Sequence, residues 1–474
     1  MWKNMSDKKI LWGSASAAYQ VEGAFDQDGK GPSIWDRWVK LPGKTFEGTN
    51  GDIATDHYHR FKEDVALMKE MGLEAYRFSI SWPRLIPNGV GDVNQAGIEF
   101  YSQLIDTLIE NKIEPVVTLY HWDLPATLQD KYKGWLSRDI VADFTQYADL
   151  CFKHFGGRVK YWIILNEPNI FTSLGYILAM HPPGHVDQKE YLQAYHNTAL
   201  VHASVVKSFK EKNIPGMIGS SIAYTPGYAV SEEHWDKEAQ YKYYQTVNWW
   251  HCDSYYKGSY PQWAMDHFKQ LGILPEITSE DLELMAYAAK HADFIGINYY
   301  QSTTLAYNPI DGATMEKFNT DGVKGQFKES GIPGLYKNVY NPHIRYTDWD
   351  WAIDPDGLLY SLKELNDRYH KPLFISENGL GAFDVLENSE IHDCYRIDYL
   401  KEHIVRCKQS ILEGVDLIAY CTWSFTDLLS WLNGFQKRYG FVYIDFLDPG
   451  LPRIKKDSFA FYQEVIRTNG DNCE

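Results

Sequence analysis

The chain has 474 residues, a formal net charge of −17, 44% hydrophobic residues and 15% aromatic residues, including 16 Trp and 34 Tyr. An acidic balance of this size excludes electrostatic attraction to nucleic acid or to anionic membranes. The six cysteines, Cys151, Cys252, Cys394, Cys407, Cys421 and Cys473, show no CxxC spacing, which disfavours a zinc site or redox dithiol and fits a reducing cytoplasm.

Residues 1–9 are polar, lack the apolar core of a secretory leader, and are read as an N-terminal extension in which Met5 is an alternative start. No apolar run reaches the ~18 residues of a membrane span. Small apolar residues over 10–19 predict a first strand. Val65, Leu67, Met68 and Met71 recur at helical spacing over 61–71, and a second strand covers 75–80. A helix over 98–109 gathers Leu104, Ile105, Leu108 and Ile109 on one face, and 115–120 is a third strand. Ser137 caps a helix reaching about residue 155, and 159–165 is a fourth strand. A helix over 191–212 stops before Pro215. A strand at 217–222, an aromatic helix over 238–256 and a strand at 294–300 follow. A helix over 357–369, a strand at 373–376, a helix over 396–412, a strand at 415–423 and a helix over 458–466 complete the series.

Eight strands alternating with helices predict an α/β chain folded as a single (β/α)8 barrel over residues 10–467, with a tail at 468–474. The long irregular stretch 301–355, rich in Gly, Asn, Pro and Tyr, follows the sixth strand. It belongs on the C-terminal rim, where barrel active sites lie.

Two of the strands end at a glutamate. Ile163-Ile164-Leu165 runs into Asn166-Glu167-Pro168, and Leu373-Phe374-Ile375 runs into Ser376-Glu377-Asn378-Gly379. A buried carboxylate is costly unless paired, so two at strand ends point to chemistry. Hydrolysis of a glycoside needs one carboxylic acid on the leaving oxygen and one carboxylate across the anomeric carbon. At a spacing of about 5–5.5 Å the second acts as nucleophile and configuration is retained.

The same residues resemble glycoside hydrolase family 1. Asn166-Glu167-Pro168 is similar to that family's acid/base motif, and the run from Leu373 to Gly381 to its nucleophile motif. Trp12-Gly13-Ser14-Ala15-Ser16-Ala17-Ala18-Tyr19-Gln20-Val21-Glu22-Gly23-Ala24 is similar to its N-terminal signature. Ile10 departs from the usual Phe without expected consequence. The resemblance implies a TIM barrel working without cofactor or metal, with Glu167 as general acid/base and Glu377 as nucleophile. Arg77 and Tyr300 would support the nucleophile. Gln20, His121, Trp122, Asn166, Asn298 and Trp423 would hold the sugar, with Asn166 on the 2-hydroxyl. Trp351, in Trp349-Asp350-Trp351, either stacks on the aglycone or packs the loop. His57 and His59, two apart, point away from each other, so no metal pair is expected.

After the eighth strand the family's β-glucosidases carry a glutamate where this chain has Ser430. A hydroxyl there can donate to a 6-phosphate that a carboxylate would repel, and Lys437 adds a cation and Tyr439 another donor. Ser430, Lys437 and Tyr439 resemble the 6-phospho-β-glycosidase branch. Trp431 resembles the galactosidases of that branch, whereas Tyr120-His121-Trp122-Asp123-Leu124-Pro125 fits its glucosidases equally, so the epimer stays open. The expected partner is a phosphorylated disaccharide or aryl glycoside; self-association into a homo-oligomer is left open. The rival readings are a plain β-glucosidase, a metal-dependent barrel hydrolase, and a sugar-binding barrel without catalysis, which would be expected to have lost one of the two glutamates.

Overall fold

The computed structural model describes residues 8–473, so the reading of the first residues as additional sequence lies outside it. Eight parallel strands close into a barrel: β1 (Leu11–Ala15), β2 (Ala75–Ser79), β3 (Glu114–Tyr120), β4 (Tyr161–Asn166), β5 (Met217–Ala223), β6 (Ile295–Tyr299), β7 (Leu373–Asn378) and β8 (Leu417–Trp423). Each lies beside its neighbours in the sequence. β1 closes the ring, with Leu11 opposite Ala419 on one side and Gly13 opposite Ala75 on the other. All eight strands fall where the apolar runs predict them.

The intervening helices cover the barrel. The helix Gln95–Glu110 buries Ile98, Tyr101, Leu104, Ile105 and Leu108 against it. The helix His57–Met71 ends at Gly72, whose φ of 79° is a left-handed stop that glycine adopts without steric cost. Inside the ring, Ala75, Val116, Ile163, Phe374, Ala419 and Cys421 form one apolar cluster that continues into Trp423, Leu428 and Tyr439 above it. The floor of the site is thus the top of the core. No helix among the described residues is long and apolar enough to cross a membrane.

Four expectations are corrected. The first strand ends at Ala15, and Ala18–Val21 turns into a short helix whose first amide is held by Ser79 Oγ at 2.7 Å. The aromatic helix 238–256 is two helices, His234–Thr246 and Asn248–Tyr256. They break at Val247 (φ −115°, ψ −82°), because the first covers a small outer sheet and the second covers the helix Ser279–His291. That last helix was not predicted, although Thr278 and Asp281 form a capping box at its start; nor was Gln262–Gln270. Finally, the stretch 301–355 is not irregular throughout. Thr303–Ala306, Ser330–Ile332 and Tyr336–Val339 join Gly227–Ala229 in a four-stranded sheet, and Arg345–Tyr346 pairs with Ala352–Ile353. Strands of two to four residues are too short for alternation to reveal them.

Candidate active site

Glu167 and Glu377 open on one cavity of about 450 Å³ at the C-terminal mouth of the barrel. Glu167 follows β4 directly, with φ 47° and ψ 58°, and the helix Pro168–Tyr176 starts behind it. A side-chain-bearing residue rarely adopts that backbone; here the amide of Glu167 is pinned by Ser221 O at 2.8 Å. Glu377 lies inside β7 rather than after it. β7 runs two residues further than predicted, and its register slips between Ile375 and Glu377, which brings Glu377 opposite Asn298 of β6.

The two carboxyls are treated differently. Arg77, on β2, donates from Nη1 to Glu377 Oε1 at 2.5 Å, and Tyr300 OH donates to Glu377 Oε2 at 2.7 Å. Arg77 Nη2 also donates to Asn166 Oδ1 at 2.7 Å, and its Nε to Thr118 Oγ1 at 3.0 Å, so the guanidinium is fixed from three strands. Glu167 has only an amide: Asn298 Nδ2 donates to its Oε1 at 2.9 Å. Ser376 Oγ in turn donates to Asn298 Oδ1 at 2.6 Å, orienting that amide. No sequence signal points to this part played by Ser376.

Burial raises both acids, by penalising the ionised form. For Glu167 burial is the largest cause and the Glu377 charge the second, and its pKa is pushed up to about 8. For Glu377 the push of burial is opposed by Arg77, Tyr300 and Asn298. Glu377 therefore ionises first, and its charge helps hold the proton on Glu167. One carboxylate and one carboxylic acid face the same space.

The cavity wall contains Gln20, His121, Trp122, Asn298, Tyr300, Trp351, Trp423, Ser430, Trp431 and Tyr439. Gln20 Nε2 is used on Leu429 O at 2.7 Å, which leaves Oε1 as a buried acceptor without a partner. His121 Nε2 meets Asn166 Nδ2 at 3.0 Å, which leaves Nδ1 without one. Burial, then Arg77, lower the His121 pKa well below its usual value. The ring is therefore neutral; it accepts at Nε2 and carries its proton on the unpartnered Nδ1. An unused acceptor and an unused donor in one wall suit a hydroxyl, which both accepts and donates. Trp431 is wedged among Trp35, Trp122 and Tyr19, at 4.3, 4.8 and 5.8 Å between ring centres. Trp122 donates from Nε1 to Asn166 O at 2.9 Å.

Three predicted residues do not reach the wall. Arg77 lies beneath it. Asn166, expected on a 2-hydroxyl, is fully buried, with Oδ1 shared by Arg77 and Asn298. Through that oxygen it ties β4 to β2 and β6 from below. Lys437 is also buried, its ammonium 3.6 Å from the centre of the Trp351 ring and 4.7 Å from that of Trp349. A cation without a carboxylate partner takes the negative faces of the indoles instead. Its neighbour Arg438 donates to Asp427 at 2.7 Å, and its backbone pairs with Ala382 just beyond β7.

Nothing in the sequence warns of His181, which lines the cavity with its ring against Trp35 and Trp122. Nor does it single out the apolar mouth made by Ile170, Leu174, Leu178, Met315, Phe318 and Phe327. The two histidines before the second strand have separate partners, His57 on Asp64 and His59 on Asp56. Among the described residues no group of His, Cys, Asp and Glu is arranged to hold a metal.

A parallel eight-stranded barrel with an acid and a carboxylate facing one cavity, walled by indoles and unpaired polar atoms, has the parts of a glycosidase. The model of glycosyl hydrolase family 1 matches residues 3–471, and the chain belongs to that family. It is 53% identical over 468 residues to the aryl-phospho-beta-D-glucosidase BglC of Bacillus subtilis (strain 168), covering 98% of each chain. It is 39% identical to a 6-phospho-beta-galactosidase of Clostridium acetobutylicum, over 94% of this chain and 93% of that one. The solved family 1 β-glucosidase of Thermotoga maritima superposes with a TM-score of 0.87 at 37% identity, over 98% of both chains.

Proposed function

We propose that the protein hydrolyses 6-phospho-β-glucosides with an apolar, aryl-type aglycone. One observation carries the phosphate. Five arginines and lysines are buried among the described residues, Arg77, Arg84, Arg396, Lys437 and Lys456. Four of them have a carboxylate: Arg77 has Glu377, Arg84 has Glu22, Arg396 has Asp384 and Asp393, and Lys456 has Asp384 and Asp427. Lys437 has none, and burial alone lowers its pKa. A buried unpaired cation costs several kcal/mol in a folded protein, and it suits an anion brought by the substrate. Ser430 and Tyr439, on the adjoining wall, add hydroxyl donors.

The apolar mouth supports an aryl leaving group, as does the name of the Bacillus subtilis relative. The same relative supports glucose over galactose at the 4-position. A doubly charged sugar ester does not cross a lipid bilayer unaided, which together with thiols at Cys151, Cys252, Cys394, Cys407 and Cys421 supports a cytoplasmic location.

The chemistry follows from the two carboxyls. Glu377 Oε attacks the anomeric carbon while Glu167 gives its proton to the departing oxygen, and a glycosyl ester forms on Glu377. The ester carries no charge, so the repulsion that held the proton on Glu167 disappears. Glu167, now ionised, takes a proton from water, which attacks the anomeric carbon and releases the 6-phospho-sugar with configuration retained.

Kinetics on four nitrophenyl glycosides, gluco and galacto with and without a 6-phosphate, test the reading. The expected order places the gluco 6-phosphate first in kcat/KM. A plain glucoside cleaved equally well would return the protein to the ordinary β-glucosidases.

A further inference from the structure

Lys437 lies in a slot whose back is Gly381, four residues beyond the nucleophile. A Cβ built on Gly381 would collide with Lys437 Cε and stand 2.8 Å from its Cγ and 2.9 Å from Tyr439 Cζ. Gly381 does not have the left-handed backbone that would itself call for glycine. It is the space, not the dihedral, that requires the missing side chain. The opposite side of the ammonium is covered by Trp351, which lines the cavity while Lys437 does not. The slot is held to the nucleophile strand by the paired backbones of Ala382 and Arg438. The loop that carries Trp351 is anchored as well. Asp350, between the two tryptophans, accepts from Gly325 N at 2.8 Å and Gln326 N at 3.0 Å, and Asn433 Nδ2 donates to Thr320 O at 2.6 Å.

We propose that Gly381 is a specificity-determining position: its missing side chain makes the slot from which Lys437 serves an anionic substituent on the sugar, with Trp351 as the cover the ammonium leaves to do so. Gly381 touches no reacting atom and acts through Lys437 and Tyr439, as a positioning residue. The steric clash falls mainly on the far end of a flexible lysine, so an added methyl displaces the ammonium stem before it disturbs the barrel. A small residue just beyond the strand of the nucleophile thereby selects between charged and uncharged sugars.

The inference rests on the phosphorylated-substrate reading, and the test separates the two. The quantity read is the ratio of kcat/KM for nitrophenyl β-glucoside 6-phosphate over that for nitrophenyl β-glucoside. In the unaltered enzyme a ratio near one removes the phosphate reading itself. Given a large ratio there, Gly381→Ala is expected to lower it by about tenfold or more, the loss of one charged hydrogen-bonding contact. In a Lys437→Ala background the same change is expected to alter the ratio by less than about twofold, because the side chain that needs the slot is gone. An unchanged ratio in Gly381→Ala, or an equal drop in both backgrounds, overturns the proposal. Should Gly381→Ala not fold, Lys437→Met, which fills the slot without the charge, takes its place; a ratio that survives it overturns the proposal equally.

Discussion

Arg77 Nη1 stands 2.5 Å from Glu377 Oε1, with both side chains buried, while Glu167 across the cavity has only the Asn298 amide for company. That asymmetry divides the labour between two chemically identical groups. Remove the guanidinium and Glu377 keeps the penalty of burial without its compensation. Arg77→Met is expected to lower kcat/KM by about a thousandfold, the scale of losing a preorganised charge partner. It should also move the acidic limb of the pH–rate profile upward, because the nucleophile stays protonated to higher pH. Rates measured between pH 4 and 9 on folded protein check both; an unmoved limb would detach Arg77 from the nucleophile.

Glu167 must be protonated for the first step, and its pKa lies at about 8. Activity in kcat/KM is expected to fall above that pH. Once Glu377 is esterified the like charge is gone, so Glu167 should titrate at lower pH in the trapped intermediate than in free enzyme. Carbon NMR of labelled glutamate on the two forms reads this directly.

The same shift has a stability consequence. Glu167 ionises near its ordinary value of 4.5 in the unfolded chain and near 8 in the folded one. Between those values the folded state binds more protons, so stability falls as pH rises through the window. Glu167→Gln removes the effect. It is expected to stabilise the protein by roughly 2 kcal/mol at pH 8 and by little below pH 4. Melting temperatures at the two pH values decide; a variant destabilised at both would mean the carboxyl is not held against its own ionisation.

Ser430 faces the cavity beside Tyr439. Ser430→Glu places a carboxylate where the account puts a phosphate. The expected result is a loss of about a hundredfold or more on 6-phosphoglucosides, because like charges in a desolvated site cost several kcal/mol, with plain glucosides cleaved as well as before or better. Equal losses on both substrates would remove Ser430 from the selection.

Much of this was legible before folding. The eight strands show as short apolar runs because a barrel strand is buried on both faces. Glu167 and Glu377 stand out because nothing about stability calls for a carboxylate at the end of such a run. What stayed hidden is what only proximity creates. Asn166 and His121 were readable as site residues. That they face each other, so that Asn166 serves the strands and His121 the cavity, depends on a contact across two strands. Lys437 was readable as a cation near the site, but its place over Trp351 depends on Gly381 leaving room. Phe318 and Phe327 sit in a stretch without periodicity, and only the packing of the rim brings them to the mouth.

The most direct test is covalent. A dinitrophenyl 2-deoxy-2-fluoro-β-glucoside 6-phosphate loses its aglycone quickly and is deglycosylated slowly, so the ester should accumulate. Intact mass is expected to rise by one fluorinated phospho-sugar, with the label on the peptide that carries Glu377. A label on any other residue, or no adduct together with a first-formed product of inverted configuration by NMR, would contradict the account.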